Sequence, residues 1–103
     1  CDIGNKACVE PGVTFPHPFG IVIGNDVRIE TGAKIFQNVT IGDKGGENYG
    51  RPVIKQGTTI FANAVVVGDI TIGPNAVIGA LCLVTDNVPE NGKVRISPDK
   101  KAS

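Results

Sequence analysis

The 103-residue chain has no tryptophan, no methionine, one histidine, one tyrosine and four phenylalanines. So few large rings exclude an aromatic core and leave the interior to aliphatics. Ten acidic and ten basic residues cancel and lie scattered along the chain, so no basic stripe is available for nucleic acid or an anionic membrane. No apolar run approaches the roughly 20 residues that span a bilayer, and the N-terminus lacks the basic and apolar regions of a secretory leader. The chain therefore reads as soluble and cytoplasmic. Cys1, Cys8 and Cys82 are an odd set without C-x-x-C spacing, which argues against a disulfide framework or a zinc ribbon. Cys8 and Cys82 read as small packed thiols.

What is present is glycine, 14 residues of it, punctuating a regular aliphatic pattern. From Ile3 a bulky apolar residue recurs every six positions at Val9 and Phe15, then after a slip of two at Ile23, Ile29, Ile35 and Ile41. After a longer interruption the series resumes at Ile54, Ile60, Val66, Ile72, Ile78 and Val84. A second, smaller residue follows four positions after most of these, as at Ala33, Thr58, Ala64, Ala76 and Cys82. A period of six fits neither a 3.6-residue helix nor a hairpin protein. It fits a parallel β-solenoid, in which each short strand pairs with the strand one turn away and tight corners take Gly, Asn or Asp. The expected organisation is a single β-helix domain over 1–103 with a polar tail over 90–103. The chain has no starting Met and the repeat is already running at Ile3, so it reads as part of a longer protein lacking an upstream N-terminal region.

Two irregularities interrupt the repeat. The first, "TFPHPFGIVIG", holds the only histidine, His17, between Pro16 and Pro18. The second, "GDKGGENYGRPV" from Gly42 to Val53, is long for a solenoid corner, and such loops are usually functional.

The segments "IGNDVR", "IETGAK", "IGPNAV" and "IGALCL" match [LIV]-[GAED]-x-x-[STAV]-x, and the chain resembles the hexapeptide-repeat acyltransferases from Ile3 to Pro89. That resemblance implies a left-handed parallel β-helix with three hexapeptides per coil, a protruding loop near 43–53, and a homotrimer. Within the family the chain is most similar to serine acetyltransferases and related saccharide O-acetyltransferases, through "HPFGIVIGNDVRIETGAKIFQNVTIG" and "RPVIKQGTTIFANAVVVGDITIGPNAVIGALCLVTDNVP".

The resemblance implies an acetyl-CoA-dependent transfer of acetyl to a hydroxyl. His17 matches the catalytic base and Asp2, fifteen residues earlier, matches the carboxylate that orients it. A histidine suits removal of a hydroxyl proton at neutral pH, and a carboxylate on its other nitrogen fixes the tautomer. No Ser or Cys stands beside His17 in a nucleophile motif, which favours direct transfer over an acyl-enzyme. Gly42, Ala62 and Ala80 match small positions along the pantetheine arm. Arg51 stands where the family holds the amino-acid carboxylate, without the family's following His, and Lys93, Arg95, Lys100 and Lys101 are candidate phosphate contacts. Pro16 replaces an Asp that contacts serine in the family, so a saccharide or nucleotide-sugar hydroxyl is the alternative acceptor. A non-catalytic structural solenoid is a second alternative. No metal is expected, because one histidine per chain does not supply the several ligands used by the zinc enzymes of this architecture.

Overall fold

The computed structural model describes residues 1–43 and 50–96. Among them the chain forms thirteen short strands and no helix. These are β1 (Asp2–Ile3), β2 (Cys8–Val9), β3 (Val22–Ile23), β4 (Arg28–Ile29), β5 (Lys34–Ile35), β6 (Thr40–Gly42) and β7 (Val53–Ile54). The series continues with β8 (Thr59–Ile60), β9 (Val65–Val67), β10 (Thr71–Ile72), β11 (Val77–Ile78), β12 (Leu83–Val84) and β13 (Lys93–Val94). Every pairing is parallel and joins strands one turn apart, which gives three flat faces. Face 1 stacks β1, β3, β6, β9 and β12; face 2 stacks β2, β4, β7 and β10; face 3 stacks β5, β8, β11 and β13.

The aliphatic period is the register of this prism. On face 1, Ile3 lies against Ile23, Ile23 against Ile41, Ile41 against Val66 and Val66 against Val84, so successive turns take 20, 18, 25 and 18 residues. Ile23, Ile29, Ile35, Ile41, Ile54, Ile60, Ile72 and Ile78 are almost wholly inaccessible to solvent. Each contributes on the order of 1.5–3 kcal/mol by burial, and β-branched side chains suit a pleated, packed face. The small residues of the second series, including Ala33, Ala64 and Ala76, fill the narrow corners between them. Thr58 is fully buried, and its hydroxyl donates to the Gly73 carbonyl one turn above at 3.0 Å, which satisfies the group.

The two-residue slip can be placed to the residue. Thr14 bridges Lys34, twenty positions on, whereas Asn38 N–H donates to Phe19 O. That second bond repeats the relation of Asn63 to Gln37 and of Leu81 to Ala62. Phe19 therefore lies beneath Gln37, and the two residues with no counterpart above them are His17 and Pro18. The long interruption begins after β6, at the corner between faces 1 and 2; residues 44–49, the centre of the expected protruding loop, lie outside the described residues.

The C-terminal end departs from the expectation of a polar tail from 90. Val88 bridges Ile72 and Val77 pairs with Lys93, so the last turn takes 16 residues and β13 is a strand of face 3. A contraction of two residues within Thr85–Asn87 hides this turn from a strict six-residue search. Residues 97–103 lie outside the described residues.

The corners obey one backbone rule. Between faces 2 and 3, the left-handed conformation recurs at Gly12, Gly32, Gly57, Asn75 and Asn91; between faces 3 and 1, it recurs at Gly20, Asn38, Asn63 and Leu81. Leu81 breaks the chemistry of this series: its φ is 67° and its side chain is 64% exposed, so neither burial nor conformation favours leucine there. Left-handed backbone costs an ordinary residue about 1–2 kcal/mol and asparagine less. Leu81→Asn is expected to raise stability by about 1 kcal/mol, read as a higher midpoint of chemical denaturation.

Candidate active site

His17 projects from the edge where face 3 turns into face 1. Pro16 and Pro18 restrict the backbone on either side, and the His17 carbonyl accepts a hydrogen bond from Phe19 N–H at 2.8 Å. The side chain is exposed, so the imidazole is accessible to a substrate hydroxyl. Its ring lies 6.2 Å from that of Phe36 at 42°, and Phe36 stacks on Phe61 at 5.0 Å and 23°. Both separations fall in the range of favourable ring pairs.

Asp2 opens β1 at the start of face 1 and is exposed. It pairs with Val22, five residues beyond His17, and its N–H donates to Ile21 O at 2.7 Å. The adjacent Cys1 thiol reaches Pro18 O at 3.4 Å. The two segments thus meet at one corner on adjacent turns, although no hydrogen bond or ion pair joins Asp2 to His17 among the described residues.

The other expected residues divide between two edges. Ala62 and Ala80 stand above Gln37 on the His17 edge, tied by Leu81 N–H to Ala62 O at 3.0 Å. Arg95, which follows β13, lies higher on the same edge, while Lys93 is on face 3; Lys100 and Lys101 lie outside the described residues. Gly42 and Arg51 flank the interruption on the edge between faces 1 and 2, away from His17 of the same chain. A side chain at Gly42 would meet nothing within 4 Å, so packing within the chain does not require glycine there.

Arg51 is anchored. Its Nη2 lies 3.2 Å from an Asp43 carboxylate oxygen, its Nε donates to Asn25 O at 3.1 Å, and only 18% of its side chain is exposed. The guanidinium joins the two flanks of the interruption to the turn beneath. A recess of about 230 Å³ lined by Leu83–Val88 and Val94 is the open upper end of the prism, remote from His17.

Sequence reasoning passed over Phe36 and Phe61. The available signal was the repeated Ile-Phe dipeptide, Ile35-Phe36 and Ile60-Phe61, in a slot held elsewhere by Pro16, Gly79 and Arg95.

Residues 51–86 match the family described as bacterial transferase hexapeptide (six repeats). The chain is 39% identical over 105 residues to a serine acetyltransferase of Buchnera aphidicola, covering 99% of this chain and 38% of that protein. Among solved structures, serine acetyltransferase from Brucella abortus superposes with a TM-score of 0.88 at 32% identity, covering 93% of this chain and 39% of that one. Serine acetyltransferase from Neisseria gonorrhoeae, solved in complex with serine, gives 0.82 at 34% identity, with 90% and 38% coverage. The chain thus spans a little over a third of the length of the proteins it matches. The architecture is the left-handed β-helix that the repeat motifs imply. No helix among the described residues is long and apolar enough to cross a membrane.

The anchoring of Arg51 has a consequence independent of any substrate. Arg51→Met removes a hydrogen bond to a backbone carbonyl and a partly exposed ion pair, and is expected to lower stability by roughly 1 kcal/mol in urea denaturation without ligand.

Proposed function

We propose that this chain is the acetyl-transfer core of a serine acetyltransferase-like enzyme, moving acetyl from acetyl-CoA to an acceptor hydroxyl with His17 as general base. The observation that carries the reading is the position of His17. The only histidine occupies the two-residue bulge of an otherwise regular prism, exposed at an edge on which Ala62 and Ala80 also lie.

The chemistry follows from an accessible imidazole. The acceptor hydroxyl gives its proton to His17 while its oxygen attacks the thioester carbonyl. The tetrahedral intermediate then collapses with cleavage of the carbon–sulfur bond, and the imidazolium returns the proton to the departing thiolate. Asp2, at the same corner, is the carboxylate assigned to orient the ring and balance its transient charge. No covalent acyl-enzyme is required.

Acetyl-CoA fits as a co-substrate laid along the His17 edge, past the short side chains of Ala62 and Ala80. The open space at Gly42 suits the same arm approached from an adjacent chain. A homotrimer accounts for this division, because cyclic symmetry brings one edge of a prism against a different edge of its neighbour. It also covers apolar surface on face 1, where Val22 is 41% and Leu83 67% exposed. Arg51 is the candidate to face the acceptor across that boundary.

Serine is the acceptor supported by the relatives, whereas a saccharide hydroxyl is favoured by one feature. Pro16, exposed beside His17, offers no side-chain acceptor to an amino group. Release of CoA with L-serine and with a panel of sugars and nucleotide sugars separates the two.

His17→Ala is expected to reduce acetyl-CoA turnover by about 10²–10⁴-fold while preserving the fold by circular dichroism; retained turnover overturns the assignment. Gly42→Leu is expected to fold normally and to raise the KM for acetyl-CoA about tenfold by obstructing the arm, with the acceptor KM unchanged in steady-state kinetics.

A further inference from the structure

We propose that Phe36, backed by Phe61, is the positioning residue that sets the plane of the His17 imidazole. The inference rests on the general-base reading of His17 and adds a component that neither the repeat nor the resemblance supplies. A general base acts only when its ring nitrogen is aimed at the hydroxyl, and an exposed side chain on a bulge is free to rotate about its two side-chain torsions. The prolines hold the backbone of the bulge; they do not hold the ring. Among the described residues no hydrogen bond or ion pair restrains the imidazole, and its ring contact is Phe36 at 6.2 Å and 42°.

The corner itself does not ask for phenylalanine. The residue following the inward aliphatic of face 3 is Pro16, Phe36, Phe61, Gly79 and Arg95 in successive turns, so the slot accepts a ring, no side chain or a cation. Rings occur in the two turns directly above His17. They stack on each other at 5.0 Å, and Phe61 remains 39% exposed, an arrangement that buries little but braces Phe36. Three of the four phenylalanines, Phe19, Phe36 and Phe61, gather with the only histidine on one edge, while Phe15 packs against the core. The energetic return is an edge-to-face or tilted ring pair of about 0.5–1.5 kcal/mol, enough to bias one ring orientation over its alternatives.

The test uses the full chain in its native assembly. Because His17 is the only histidine, its imidazole carbon-bound protons give a single set of NMR signals, displaced by the ring current of Phe36. Phe36→Leu is expected to abolish that displacement and to lower kcat about tenfold or more, misaimed catalytic groups losing on that order. Both KM values stay unchanged, the signature of an interaction made in the transition state. Phe36→Tyr restores the displacement and the rate. Phe61→Gly, which reproduces the side-chain-free slot at Gly79, keeps Phe36 but removes its brace and is expected to give an intermediate kcat. An unchanged imidazole spectrum in Phe36→Leu overturns the proposal, as does an unchanged kcat in that variant while His17→Ala is inactive. If His17→Ala retains full turnover, the general-base reading fails instead, and the NMR displacement still decides whether Phe36 holds the ring.

Discussion

The parallel backbone ladder between successive turns is the constraint on which everything else here depends. Each strand is two or three residues long, too short to hold itself, and is stable only because the turns beside it continue the same hydrogen-bonded column. A ladder of this kind fixes register, and register decides which residue faces inward. Isoleucines therefore coincide along an axis, left-handed corners coincide along an edge, and any residue added to a turn must leave the column. The chemistry follows from that last property: a side chain that belongs to no rung is displayed outward at a place the rungs define.

Much of this was legible in the sequence because a period of six is a geometric statement. Ile23, Ile41, Val66 and Val84 could be counted onto one face before any coordinates were seen, and the slip between Phe15 and Ile23 announced the bulge at His17. Resemblance supplied what periodicity does not encode, namely the hand of the helix and the expectation that His17 acts with Asp2. The turn ending at Lys93 was not legible. A contraction of two residues breaks the count without changing the local composition, so Gly92 to Val94 looked like part of a polar tail.

The site was less legible than the fold, for a physical reason. Period and pattern report which residues point inward, whereas the site consists of residues that point outward, and outward positions carry no packing rule. Arg51 illustrates the difference. Its charge suggested a substrate contact, yet its neighbours Asp43 and Asn25 come from other parts of the chain and emerged only once the turns were stacked. The ring stack beside His17 is similar: Phe36 and Phe61 are 25 residues apart and become neighbours because the long turn between them returns to the same corner.

The unequal turns also bear on how the prism meets copies of itself end to end. A solenoid exposes unpaired strand edges at its rims, and rims that match invite open-ended stacking into fibres. Here the lowest turn takes 20 residues and carries the bulge, whereas the uppermost takes 16. Rims of different perimeter cannot share a continuous ladder on all three faces at once. The same pair of irregularities that displays a histidine at one end and tightens a corner at the other therefore makes the two ends poor templates for one another.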